Sequence, residues 1–325
     1  MGEMAETIRE IGKDVLISLV VLGIILGSLY LISGRWPPMV VVESGSMMHS
    51  EESQIGVIDP GDIVLVQERD KEDITTYVEG KATGYRQYGQ YGDVIIFEPD
   101  GNKRKTPIIH RAVLYLEEND SVEGSFDVPS LKQLDYGTDW HTSEGDYLGI
   151  EGTLTLYDYG YKGNDLRIDL SDLNQGGYIT KGDNNDEIDQ QQGHINPISS
   201  EPIKQDWIKG RARGELPWFG IIKLVYLGRT EYIPNNTWNY FMLSIAILLL
   251  FPLVTEIGSN IYDEMVEGEG RKERETQSGE NSDEITTPKN EGSSGNGENL
   301  ESEMYEEKEN DDDTDAIEDD DKLEP

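Results

Sequence analysis

Two long apolar runs frame this chain. Residues 15–32 (VLISLVVLGIILGSLYLI) contain no charge over 18 positions, enough for a helix rising about 1.5 Å per residue to cross a bilayer. Residues 238–254 (WNYFMLSIAILLLFPLV) form a second uncharged run of 17, with Trp238 and Tyr240 where interfacial aromatics belong. Ser33-Gly34-Arg35-Trp36-Pro37-Pro38 follows the first run without a small-residue cleavage site, so that run reads as a retained anchor and not as a removed leader. The pattern predicts membrane-spanning helices at 15–34 and 236–254, which puts segments 1–14 and 255–325 on one side. Arg9 and Lys13 ahead of the first run lean towards a cytoplasmic placement for that side.

Between the two runs the pattern changes to short β-type stretches, at 40–42, 62–66, 93–97, 153–157 and 177–180. Glycines, prolines and Asn/Asp clusters separate them, and helical periodicity is absent. A mainly β extracytoplasmic domain over 35–235 follows. Within it, 72–91 and 117–174 are rich in tyrosine, glycine and acids and read as surface insertions. From Thr255 onward large apolar residues are scarce, so the segment has too little to bury to repay the entropy of ordering, and a disordered acidic cytoplasmic tail is expected.

Charge sharpens this picture. The formal net charge is −38, of which the segment from Thr255 carries −20 and the other 254 residues −18. An acidic folded region argues against nucleic acid as a partner, because phosphate contacts need Lys and Arg. It also suits a salt-rich environment, where the Debye length falls to roughly 3 Å at 1 M and self-repulsion is screened. The chain has no cysteine, which excludes disulfide frameworks, thiol nucleophiles and cysteine-ligated zinc.

Four groups stand out chemically: Ser44-Gly45-Ser46-Met47, Ile108 to Val113 around His110, Thr180-Lys181-Gly182-Asp183-Asn184-Asn185, and Asp189. A serine attacks a carbonyl when a base takes its proton. Histidine suits that task near neutral pH, and a carboxylate fixes its tautomer. His49 lies too close in sequence to Ser46 to face it, whereas His141 and His194 sit in acidic loops. Lys103 and Lys105 are rival bases of a Ser-Lys type, but their polar loop opposes the burial that lowers a lysine pKa. Asp183 to Asp189 (DNNDEID) lacks the glycine and terminal glutamate of a calcium loop of the EF-hand type. Asn119-Asp120-Ser121 and Asn235-Asn236-Thr237 are glycosylation sequons.

Taken together and in this order, these groups resemble the type I signal peptidases, in particular their archaeal and endoplasmic-reticulum branch. Residues 41–47 resemble the nucleophile box, in which a strand leaves the anchor and ends in S-G-S-M. Gly61-Asp62-Ile63-Val64-Leu65-Val66 and Gly92-Asp93-Val94-Ile95-Ile96-Phe97 resemble two G-D strand motifs. Ile109-His110-Arg111-Ala112-Val113 sits where the bacterial branch carries Lys-Arg. Lys181-Gly182-Asp183-Asn184-Asn185 with Asp189 matches a K-G-D-N-N-x(3)-D box, and 208–213 with Pro217-Trp218-Phe219-Gly220 resembles the closing segment. The likeness covers residues 15–223. It departs from the family after the serine, where Met48-His49-Ser50 replaces an expected proline, and in longer intervals between boxes.

The resemblance implies a signal-peptidase-like β fold with two transmembrane helices. It implies Ser46 as nucleophile, His110 as general base and then acid, Asp189 as the orienting carboxylate and Asp183 as a supporting acid, the assignment between the two acids staying open. The Ser46 backbone N–H, helped by the Ser44 hydroxyl, would bind the oxyanion. This chemistry requires no metal and no organic cofactor. The expected partners are preproteins bearing signal peptides, the lipid bilayer and the secretory translocon. A nucleophile at most about 33 Å of extended chain beyond Trp36 stays near the bilayer surface. The alternative from another class is a non-catalytic, membrane-anchored surface binding protein of a halophile.

Overall fold

The computed structural model describes residues 2–68, 73–190 and 197–280. The chain divides into one unit, Met1–Thr255, which holds the strands of the described residues, and a second, Glu256–Pro325. It is mostly β-sheet, with two helices long and apolar enough to cross a membrane, at Ile11–Ser33 and Asn235–Val266.

Helix α1 runs from Gly2 to Ser33, beginning ahead of the uncharged run. Gly34 ends it in the left-handed region (φ 77°), its N–H donating to the Tyr30 carbonyl, and the following prolines cannot continue a helix. Ser33 then ties the helix to the sheet. Its hydroxyl donates to Val66 O at 2.6 Å, and its carbonyl accepts from the Glu68 N–H at 2.8 Å.

Among the described residues twelve strands are numbered in order: β1 (Met39–Val41), β2 (Ile63–Gln67), β3 (Arg86–Gln87), β4 (Gln90–Tyr91), β5 (Val94–Phe97), β6 (Ile108–Glu118), β7 (Phe126–Asp127), β8 (Trp140–Thr142), β9 (Thr153–Tyr159), β10 (Asn164–Asp169), β11 (Gly177–Lys181) and β12 (Ile208–Leu216). The main sheet has the order β1-β2-β12-β5-β6-β11, with β7 paired to β6. Its pairings are antiparallel. Burial follows position. β2 alternates half-buried and buried residues, whereas all four residues of β5, central between β12 and β6, are buried. β12 bulges against β5 between Ile208 and Gly210, and Gly210 is needed there because a side chain would meet Gln67 O of β2 at 2.4 Å. All five β stretches read from the sequence are strands. Of the others, β10 and β12 carry charges or glycines that break their alternation, β3, β4, β7 and β8 are only two or three residues long, and β6 stands out in the sequence for its chemistry alone.

The stretches 72–91 and 117–174 are not surface additions. Among their described residues, they build β3 and β4, helix α2 (Tyr77–Thr83), and a second sheet ordered β10-β9-β8. Phe126, Leu131, Trp140, Ile150, Leu154 and Ile168 from this layer share one core with Val113, Leu114 and Leu116 of β6 and Ile179 of β11. Their apolar residues are spread thinly among acids, yet converge once the hairpin folds back on β6. Helix α2 is only seven residues long, but Thr76 and Glu79 form a reciprocal capping box and Gly84 closes it in the left-handed region. Helix α3 (Ile221–Leu227) also lies where no helix was expected.

Helix α4 runs from Asn235 to Glu280, so residues 255–280 are helical where the sequence suggested disordered chain. A helix satisfies its own backbone, and the many Glu, Lys and Arg residues there are good helix formers, so no buried core is needed. Residues 281–325 lie outside the described residues.

Candidate functional site

β1 brings the chain from the end of α1 to a tight turn. After β1, the Val42 N–H donates to Asp62 O and its carbonyl accepts from Gly61 N–H, at 2.9 and 3.1 Å. The chain then turns through Ser44-Gly45-Ser46, closed by Met48 N–H donating to Gly45 O at 3.2 Å. Met47 is 2% exposed and packs among Val42, Ile58, Val64, Val66, Val94 and Ile96. That anchor leaves Ser46 half-buried at the rim with its hydroxyl directed to His110.

His110 lies on β6 opposite Ile95 and is 2% exposed. Its Nε2 is 2.9 Å from Ser46 Oγ, and its Nδ1 is 2.8 and 2.7 Å from the two carboxylate oxygens of Asp189. The carboxylate only accepts, so Nδ1 carries the proton and Nε2 faces the serine as an acceptor. Asp189 is held by the Thr180 hydroxyl, donating to Oδ2 at 2.7 Å, and by its own N–H donating to Thr180 O at 2.8 Å. Strand β11 thus positions the carboxylate that orients the histidine.

Asp183 takes a different place. It pairs with Arg111 through two 2.7 Å bonds from Nε and Nη2. His49 Nε2 also lies 2.9 Å from Asp183 Oδ2. Arg111 is fully buried and its Nη1 donates to the carbonyls of Gln87, Tyr91 and Gly92. Although burial opposes ionisation, the Arg111 guanidinium and its hydrogen bonds hold the Asp183 carboxyl down at about 2. Asp183 therefore locks the 181–185 turn to β6 and, through Arg111, to the 72–91 layer.

Ser44 Oγ is 3.3 Å from Ser46 Oγ, on the exposed side of the turn. Gly182 is required by close approach: a side chain there would lie 2.7 Å from Ser46 O and 2.9 Å from His110 Nε2. Lys105 forms an exposed ion pair with Asp100, and Lys103 is exposed, so neither lysine is brought to Ser46. His141 is exposed and stacks on Tyr136, while His194 lies outside the described residues.

The two G-D motifs place buried acids beneath this frame. Asp93 meets Arg211 and Arg213 at 3.3 and 3.2 Å and accepts from the Tyr85 hydroxyl. Asp62 accepts from the N–H groups of Asp59 and Trp218 at 2.9 Å each. Burial raises the Asp62 carboxyl to about 7 and that of Asp59 to about 6, their hydrogen bonds offsetting only part of it.

Ser46 and His110 open into a cleft of about 980 Å³. Met39 to Ser44, Ser46, Met47, Thr106 to His110 and Ile198 line it, together with Lys223, Arg229 and Tyr232. Among the described residues β1 pairs with β2 alone, so within them it borders the cleft as a sheet edge. Among the described residues no group of three metal-ligating side chains gathers.

Sequence reasoning assigned no role to several residues that touch this assembly: Thr180, Arg111, His49, Asn184, Lys181, Tyr161 and Lys162. Thr180, Lys181 and Asn184 lie in a box that was singled out. Arg111 follows His110 directly. Tyr161 and Lys162, inside 117–174, carry no local mark, since their contacts arise from the fold alone. Lys181 is buried, with its Nζ 3.1 Å from Gly182 O and 5.2 Å above the Tyr159 ring, and burial lowers its pKa to about 8.

No protein-family model, no curated protein and no solved structure matches this chain.

Proposed function

We propose that this chain is a membrane-bound serine endopeptidase of the type I signal peptidase kind, removing N-terminal signal peptides from secreted and membrane preproteins. The observation that carries the reading is the continuous array Ser46 Oγ, His110 Nε2/Nδ1 and Asp189, joined by bonds of 2.7–2.9 Å and opening into the cleft beside β1.

In the first step Ser46 Oγ bonds to the scissile carbonyl carbon while its proton passes to His110 Nε2. The Asp189 carboxylate stabilises the imidazolium so formed. The Ser46 N–H, with the Ser44 hydroxyl, holds the oxyanion, a role worth about 3 kcal/mol per donor. Collapse breaks the C–N bond, and His110 gives its proton to the departing amine. Water then attacks the acyl-enzyme, its proton going to His110 and from there back to Ser46 Oγ, which restores the serine and frees the new carboxylate.

The extended preprotein adds alongside β1, whose outer edge carries no strand among the described residues and whose backbone supplies hydrogen bonds independent of sequence. Val40, Val42 and Ile96 line the cleft and offer an apolar surface to the small side chains expected before the cut. Both membrane helices keep the cleft near the bilayer on the extracytoplasmic face of the cell membrane, where a translocated signal peptide emerges, and the secretory translocon delivers it. The acidic surface fits work in concentrated salt.

A phosphonate or sulfonyl fluoride that reacts with activated serines tests the array. Mass spectrometry of the full chain in membranes is expected to place one adduct on Ser46, lost in His110→Ala. Equal labelling of Ser46 in His110→Ala would overturn the assignment of the base.

A further inference from the structure

The 117–174 layer reaches the active site at one point, the tip of the β9–β10 hairpin. The Tyr161 ring stacks on His49 with centroids 4.5 Å apart. Its hydroxyl donates to Asn184 Oδ1 at 2.9 Å, and the neighbouring Lys162 ammonium donates to Asn184 O, also at 2.9 Å. Asn184 in turn grips the nucleophile's backbone from both sides. Its side-chain Nδ2 donates to Gly45 O at 3.1 Å, and its backbone N–H donates to Ser46 O at 2.8 Å.

The bond to Gly45 O has a consequence for the chemistry. A trans peptide is planar, with carbonyl and N–H pointing to opposite sides of one rigid unit. Fixing Gly45 O therefore fixes the direction of the Ser46 N–H, the donor assigned to the oxyanion. The Asn184 amide can serve this way in only one of its two orientations, with NH₂ towards Gly45. A hydroxyl donating to Oδ1 from the other end favours that orientation.

We propose that Tyr161 is a positioning residue for the oxyanion donor, acting through the Asn184 side chain, and that Lys162 reinforces it at the Asn184 carbonyl. The part of this inference that concerns rate rests on the peptidase reading above; the part that concerns geometry does not. In this view the β9–β10 hairpin is a brace on the nucleophile turn, placed by a layer that shares its core with β6.

Tyr161→Phe removes the hydroxyl and keeps the ring on His49. In the full chain, in membranes and molar salt, hydrogen exchange at the amides of residues 184–185 is expected to quicken about threefold to tenfold, with an unchanged melting temperature. With a preprotein substrate, kcat is expected to fall about threefold to tenfold while KM holds, because an oxyanion donor acts in the transition state and not on the bound substrate. In an Asn184→Ala background, Tyr161→Phe is expected to add less than about twofold, since the two act along one path. Unchanged exchange at 184–185, or losses in kcat that multiply in the double variant, would overturn the proposal. Quicker exchange in a chain whose wild type does not cleave would uphold the brace and remove the peptidase reading instead.

Discussion

His110 Nδ1 lies within 2.8 Å of both carboxylate oxygens of Asp189, while the second acid of the same box, Asp183, faces away to Arg111 and His49. Two aspartates six positions apart thus have separate work. One sets the histidine's tautomer; the other fastens a turn.

Asp189→Asn should therefore act on kcat. An amide at that place no longer stabilises the imidazolium and can turn the ring to the wrong tautomer, so kcat is expected to fall by about 10³–10⁴. Asp183→Asn is expected to lower the melting temperature and to leave more of kcat. Rates and melting curves of the two variants check this, and equal losses of kcat in both would contradict it.

Arg111→Ala leaves the buried Asp183 carboxylate without its guanidinium partner and removes the bonds to three backbone carbonyls. Breaking a buried pair from one side is expected to cost about 3–5 kcal/mol. Denaturant unfolding of the detergent-solubilised chain measures it. A loss below about 1 kcal/mol, the size of a surface pair, would contradict the role assigned to Arg111.

The raised carboxyls of Asp59 and Asp62 make a prediction about pH. An acid whose folded pKa exceeds its unfolded value of about 3.9 binds its proton more tightly when folded. Its stabilising contribution is full below about pH 4 and disappears as pH rises through about 6 to 7. Asp183, held near 2, has the opposite sign, but its window lies below pH 4 and does not overlap. The melting temperature is expected to fall between pH 5 and pH 8, and to fall less in Asp62→Asn. An identical fall in that variant would contradict burial as the cause.

Much of the frame could be read from the chain because its cause is local. The uncharged runs give both long helices, β-branched residues give β2 and β5, and the ordered boxes bring Ser46, His110 and Asp189 forward. Other features depend on residues far apart. Asp183 and Arg111 are 72 positions apart, and nothing near either marks the other as its partner. The layer at 117–174 looked like decoration because Phe126, Trp140 and Ile168 are isolated among acids; only the return of the hairpin onto β6 collects them. The short helix at Tyr77–Thr83 was not read from the sequence, because seven helical residues are too few to show a period. Helix beyond Thr255 escaped a reading based on burial, because helical backbone needs no core to satisfy its hydrogen bonds.

The most direct test of the central claim is cleavage of a purified preprotein by membranes containing the full chain in molar salt, with the new N-terminus sequenced. Wild type is expected to cut once, after a small residue at the end of the signal peptide, while Ser46→Ala and His110→Ala, still folded and membrane-bound, do not cut. Undiminished cutting by Ser46→Ala would contradict the account.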